Sequence, residues 1–202
     1  MKIFDLFPIP LVIEQLQIDT QEFLFAMNYT SVKDNFNLNQ NKNYVSKDTY
    51  ILNNMPTLKT QIELILKDYV YNILGEETEL QIIQSWINYN PPGTSHHKHT
   101  HSNSIASGVI YLQTDDKTGN IHMHKPASQS RMIHDEVTNW QKYSYDYVYF
   151  TPKISELFLF PSTLPHSVEE NKSTISRISL SFNTFYKGTF GSNVNLTQVT
   201  LR

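Results

Sequence analysis

From residue 79 onward the chain is written in short runs of alternating apolar and polar residues. That period of two constrains the fold more than any other feature. The runs are Leu80 to Asn90, Ile105 to Gln113, Asn120 to His124, Tyr145 to Phe150, Glu156 to Phe160 and Ile175 to Phe185. Turn residues such as Gly119 and Pro161-Ser162 separate them. Short strands with turns between them build antiparallel sandwiches or barrels rather than a parallel α/β sheet. An aromatic content of 12%, with 12 Tyr against 2 Trp, suits such a β-rich core.

The N-terminal part reads differently. Residues 1–16 form an extended entry, because Pro8 and Pro10 forbid a helix interior. Thr20 to Tyr29 predicts a short helix with Phe23, Leu24 and Met27 as its apolar face. Residues 31–53 are rich in Asn and Lys and read as loop. Met55 to Leu74 predicts the main helix, with Leu58, Ile62, Ile65, Leu66, Tyr69 and Ile73 at helical spacing. Asn54 stands where a cap belongs, Pro56 suits the first turn, and Gly75 is a stop. Helices followed by strands give an α+β, mainly β, chain with the main helix packed outside a barrel. We expect one domain over residues 1–202: a helical and extended support region (1–78), a barrel core (79–186) and a C-terminal tail (187–202).

Composition removes whole classes of chemistry. There is no Cys, which excludes disulfides, thiolate zinc sites, iron–sulfur ligation and a Cys nucleophile. A bound metal must therefore use His, carboxylate or amide ligands. Net charge is −3, with Lys+Arg 16 against Asp+Glu 19, which speaks against a nucleic-acid partner. No apolar run approaches the ~18 residues of a membrane span. The first residues lack the pattern of a secretory leader, so a cytoplasmic location is expected.

Six of the eight His lie between residues 96 and 124. In an extended strand His97, His99 and His101 share one face, spaced by ~7 Å. Two imidazoles at that spacing can converge on one ion at ~2.1 Å each. Three span ~13 Å and need a bend, so one of them is expected outside the ligand set. His97 with His99 is an alternative register to His99 with His101, and a solvated His-rich loop is the plain alternative. His166 opens the segment after the Pro161-Ser162 turn, a place where a lone His is more often a surface residue. In the last strand Arg177, Ser179 and Ser181 share one face, and Ile178, Leu180 and Phe182 the other. Both faces are expected to be buried. A buried Arg needs an anion, and a ligand carboxylate matches its planar fork. A salt bridge to Glu156 is the alternative.

Taken in order, these pieces resemble one family. They are Trp86-Ile87-Asn88, Gly93, His99-Thr100-His101-Ser102-Asn103-Ser104 and Ser107-Gly108-Val109-Ile110-Tyr111-Leu112. Phe160-Pro161-Ser162-Thr163-Leu164-Pro165-His166 and Arg177-Ile178-Ser179-Leu180-Ser181-Phe182-Asn183 follow. The chain is similar to the 2OG-Fe(II) oxygenase family of the type common in marine bacteria and their phages. Leu6-Phe7-Pro8 is similar to that family's opening, and the likeness is weakest at 31–53 and 127–155. The resemblance implies a double-stranded β-helix (a cupin-like jelly roll). It also implies an oxidoreductase that uses Fe(II), 2-oxoglutarate and O2 to hydroxylate a substrate, releasing succinate and CO2.

Carried over residue by residue, the resemblance makes His99 the first metal ligand and His166 the distal one. His101 falls where relatives carry Asp or Glu. Arg177 and Ser179 would take the far carboxylate of 2-oxoglutarate, with Tyr111 adding a hydrogen bond. Three neutral His leave a site more positive than two His and a carboxylate, a set that still suits Fe(II), and also zinc or nickel. Asp115, Asp116, Glu169 or Glu170 completing the set is an alternative. His122 and His124 are read as cavity-lining or substrate-contacting, with a solvated strand face as the ordinary alternative. Trp86 and Asn88 are expected to help line the cavity. Two other functions remain open: a three-His, cupin-like dioxygenase without 2-oxoglutarate, and a non-catalytic jelly-roll binding module. Beyond a small-molecule co-substrate, the sequence does not name the primary substrate.

Overall fold

The computed structural model describes residues 1–29, 31–33, 43–130 and 135–201. The chain starts with β1 (Val12–Gln15), α1 (Thr20–Met27), β2 (Ser31–Lys33) and β3 (Tyr44–Ser46). Helix α2 (Pro56–Asp68) follows and continues into a π-helical turn, Tyr69–Leu74. Then come β4 (Glu79–Asn90), β5 (His96–His99), β6 (Ala106–Gln113), β7 (Ile121–His124) and β8 (Tyr147–Phe150). β9 (Glu156–Pro161), β10 (His166–Val168), β11 (Arg177–Lys187), β12 (Thr189–Phe190) and β13 (Val199–Thr200) complete it.

The strands form a 7-stranded sheet in the order β1-β9-β6-β11-β4-β3-β2 and a 4-stranded sheet in the order β5-β10-β7-β8. Their pairings are antiparallel. The result is the jelly roll expected from the period-two pattern, with helices on the outside of the larger sheet. Alternation sorts each central strand into two faces. Ile110, Leu157, Leu159, Leu180 and Phe182 join Leu58, Ile62 and Leu66 of α2 in one core. The intervening Tyr111, Phe158 and Phe160 meet Ile121, Met123 and Leu164 in a second core, between the sheets. Phe182 lies across Gly108, where a Cβ would sit 2.2 Å from its ring. No helix among the described residues is long and apolar enough to cross a membrane.

Several local expectations are corrected. Residues 31–53 are not all loop: β2 and β3 extend the edge of the larger sheet, and Ile51–Asn54 forms a 3-10 turn. β2 is the edge strand and needs only one paired neighbour, so polar sequence there is tolerated, while β3 pairs with β2 on one side and β4 on the other. Residues 34–42 of that segment lie outside the described residues. Residues 187–202, expected as a tail, carry the β12–β13 hairpin.

Asn54 does not cap α2. It donates to Asp48 Oδ2 at 3.2 Å. The cap comes from α1: the Glu22 carboxylate accepts from Thr57 N at 2.7 Å and Leu58 N at 3.0 Å. A carboxylate there meets both the free amides and the positive end of the helix dipole. Gly75 ends the helix as expected, in the left-handed region at φ 70°. The π-helical winding shifts the buried stripe to Tyr69 and Val70, leaving Ile73 42% exposed against expectation. Glu22→Ala removes both cap bonds from a site where Glu22 is 8% exposed. We expect a loss of about 2–3 kcal/mol, read as a lower midpoint in urea with an unchanged slope. Glu22→Gln should keep part of it.

Candidate metal centre

β5 and β10 lie side by side in the smaller sheet, with His99 opposite His166. His101 follows β5, and its backbone N–H donates to Ser162 O at 2.9 Å, in the turn that leads into β10. His99, His101 and His166 thereby come together, each offering a nitrogen within 4.8 Å of the others. The Nε2 atoms of His101 and His166 are 3.2 Å apart. Two cis ligands at ~2.1 Å from one ion and ~90° apart would be separated by ~3.0 Å. The pair is therefore at coordination spacing.

The far side of two rings fixes their protons. Nδ1–H of His99 donates to His97 O at 2.8 Å, and Nδ1–H of His166 donates to Leu164 O at 3.0 Å. A ring that donates through Nδ1 keeps its Nε2 lone pair for a metal. Burial pushes the His101 ring down to about 4 and the His166 ring down to about 3, with His99 adding to both. Burial also lowers His99, against the raising effect of its bond to His97. All three are neutral near pH 7, the form that binds metal. The donor set is all imidazole, which suits Fe(II), nickel or zinc.

No carboxylate joins this group among the described residues. Glu169 is turned to Asn120 N at 3.0 Å and His122 Nε2 at 2.9 Å. Asp115 accepts from Ser173 Oγ at 2.5 Å and Lys117 N at 2.8 Å. Asp116 and Glu170 are exposed. The alternative of a borrowed carboxylate fails because each candidate sits in a turn or a loop aimed elsewhere.

The expected face of the His-rich strand is also corrected. His97 is exposed, and His96 lines the cavity with His99 and His101. On β10 the pairing runs from His166 to Val168 while on β5 it runs from His99 to His96. That extra residue is a β-bulge, which resets which side chains point inward. Burial, with His99 next, pushes His96 down to about 3. His122 and His124 do not line the cavity. Ile121 and Met123 are the inward residues of β7, while His122 stacks on Tyr147 at 4.5 Å and His124 Nε2 meets Ser167 Oγ at 2.8 Å. The ordinary reading, a strand's outer face, is the one that holds.

The cavity is narrow, about 70 Å³, and Trp86 and Asn88 line it as expected. So do Tyr111, Arg177 and Ser179. Arg177 is 1% exposed and has no acidic partner among the described residues. Glu156, the alternative partner, accepts instead from Lys153 N at 3.1 Å. Nη1 of Arg177 donates to the main-chain carbonyls of Thr118 and Glu169. Its Nη2 is buried with no hydrogen-bond partner among the described residues. Burial lowers the guanidinium pKa and pushes the Tyr111 phenol up to about 12, so Tyr111 is a neutral hydroxyl beside a cation.

Residue-level reasoning overlooked a junction behind the histidines. Ser162 Oγ lies 2.7 Å from both Ser104 Oγ and Ser107 Oγ, and Ser107 Oγ donates to Asn183 Oδ1 at 2.8 Å. This cluster ties the His101 segment, the turn before His166, β6 and β11 together. The signal was present as small polar residues recurring beside each motif.

A family model described as "Putative 2OG-Fe(II) oxygenase" matches residues 84–183. That span contains all three His, Arg177 and Ser179. No curated protein matches the chain in sequence. Among solved structures the chain is similar to an oxidoreductase of the 2OG-Fe(II) oxygenase family from Burkholderia pseudomallei, with a TM-score of 0.58, 16% identity, and coverage of 86% of this chain and 83% of that one. It is similar to HygX from Streptomyces hygroscopicus with nickel, 2-oxoglutarate and hygromycin B bound, with a TM-score of 0.59, 9% identity, and coverage of 87% and 82%. A Pseudomonas putida prolyl-4-hydroxylase matches with a TM-score of 0.54, 14% identity, and coverage of 88% and 94%. At such identities the structural likeness is one of fold, the double-stranded β-helix. Over residues 84–183, which hold the ligand-bearing strands, the chain matches the 2OG-Fe(II) oxygenase family model, and its fold is that of these structures.

Proposed function

We propose that this protein is a non-haem iron oxygenase with an all-imidazole centre, His99, His101 and His166, and a cavity that takes a carboxylate on Arg177. The observation that carries this reading is the pairing of two groups in one cavity. Three neutral imidazoles converge at coordination spacing, and beside them stands a buried guanidinium with no acidic partner among the described residues. Fe(II) held there would supply open coordination positions and the redox chemistry of O2 activation. His97 O and Leu164 O hold two of the rings in the metal-binding tautomer. Arg177 would bind and orient the carboxylate, with the Ser179 and Tyr111 hydroxyls as further donors. Trp86 and Phe160 line the cavity with apolar surface.

Two readings share this centre. The all-imidazole set favours a three-His dioxygenase without 2-oxoglutarate, in which Arg177 binds a carboxylate of the substrate itself. The buried, acid-free Arg177 beside the imidazoles favours 2-oxoglutarate as co-substrate, with release of succinate and CO2, since its 2-oxo acid end suits a metal while its far carboxylate suits the guanidinium. The similar protein HygX holds nickel and 2-oxoglutarate. The two are separated by adding Fe(II) and 2-oxoglutarate to the protein without oxygen and recording the visible spectrum. A metal-to-ligand charge-transfer band that Arg177→Ala removes supports the 2-oxoglutarate reading. Iron binding with no band supports the three-His dioxygenase. Failure to bind iron contradicts both.

A further inference from the structure

Asn90 stands directly opposite Arg177 in the β4–β11 pairing. Paired residues of this kind have Cβ atoms ~4.5–5.5 Å apart on one face of the sheet. Asn90 is 3% exposed, lines the same cavity as Arg177, and its Nδ2 has no hydrogen-bond partner among the described residues. Two neighbouring buried donors, Arg177 Nη2 and Asn90 Nδ2, are thus unmatched in one cavity. Buried donors are satisfied as a rule, and two left open on facing residues of one cavity call for an acceptor from outside the chain.

The backbone around them is anchored. Asn171, 0% exposed, donates through Nδ2 to Asn90 O at 2.9 Å and to Ile175 O at 2.8 Å. Nη1 of Arg177 is occupied by two carbonyls, while the buried Nη2 is left open to a ligand. The residue type at position 90 matters as well. A carboxylate there would pair with Arg177 and close the site from within. The amide is nearly the same shape but leaves the charge of Arg177 for a ligand.

We propose that Asn90 is a specificity-determining residue, the second donor of a clamp that takes both oxygens of one carboxylate between Asn90 Nδ2 and Arg177 Nη2. This rests on the reading in which 2-oxoglutarate occupies the cavity. An acceptor-only group satisfies two donors, whereas an apolar end leaves both unpaired.

The test is calorimetric titration of the Ni(II)-loaded protein with 2-oxoglutarate and with 2-oxopentanoate, which keeps the 2-oxo acid and lacks the second carboxylate. The wild type should prefer 2-oxoglutarate by on the order of 100-fold. In Asn90→Asp the preference should fall to nearly none, while the metal-free variant melts higher than wild type because its new carboxylate pairs with Arg177. In Asn90→Leu the preference should fall by on the order of 10-fold. A folded Asn90→Asp that keeps the wild-type preference overturns the role of Asn90 and leaves the 2-oxoglutarate reading standing. A lost preference with a lowered melting temperature marks a merely structural residue and overturns it too. If the wild type shows no preference, both the clamp and the 2-oxoglutarate reading fail. Should Asn90→Asp not fold, the preference ratio of Asn90→Leu decides.

Discussion

His166→Ala should abolish specific metal binding, with affinity falling by on the order of 10³-fold or more. Losing only the group behind a ligand costs ~10–100-fold, so losing the ligand itself costs more. His166 is also central to the trio. Its Nε2 lies 3.2 Å from that of His101, and its ring centroid lies 4.3 Å from that of His99. Two residual imidazoles, only one of them held by a backbone carbonyl, are a weak site. The check is thermal melting with and without metal. At a metal concentration of 100 times Kd the wild type gains about 2.7 kcal/mol. For a chain of this size that is roughly 5–10 °C. The variant should gain nothing at the same concentration. The comparison is internal to each protein, so any loss of metal-free stability from the cavity left beside Phe160 drops out.

Arg177→Met should separate folding from binding. The wild-type fold holds a buried cation with no acid beside it, which is costly. Met fills much of the same volume without charge. The offsetting loss is the pair of bonds from Nη1 to Thr118 O and Glu169 O. Each is a bond from a charged donor, in the range of ~1.5–3 kcal/mol. The two effects oppose, and we expect metal-free stability to change by less than about 2 kcal/mol. Affinity for a carboxylate ligand should fall by on the order of 100-fold, the loss of a charge-assisted contact from a buried cation. Urea unfolding measures the first quantity and calorimetric titration the second. A large loss of stability with unchanged affinity would assign Arg177 to the scaffold.

The face pattern of the last strand made the burial of Arg177 legible. Arg177, Ser179 and Ser181 alternate with Ile178, Leu180 and Phe182, so period two groups the Arg with the two Ser on one face, and the structure turns that face to the cavity. The helix over α2 was legible for the same reason, from its apolar stripe. What escaped depends on partners distant in sequence. His96 rather than His97 faces the cavity because β5 bulges against β10, and a register is a property of two strands. The cap of α2 comes from Glu22 on another helix, invisible to a rule that searches the residue before the first turn. β2 and β3, three residues each, were hidden in Asn- and Lys-rich sequence because so short a run shows no period of its own. Asn90 ends a strand as an ordinary polar residue, and only its pairing with Arg177 and its unmatched amide single it out.

The most direct measurement is metal binding by equilibrium dialysis, with anaerobic Fe(II), of the wild type and five single Ala variants: His96, His97, His99, His101 and His166. One ion per chain is predicted for the wild type and for the His96 and His97 variants, with little or none for the other three. Wild-type affinity in His101→Ala, or its loss in His97→Ala, would contradict the three-imidazole centre.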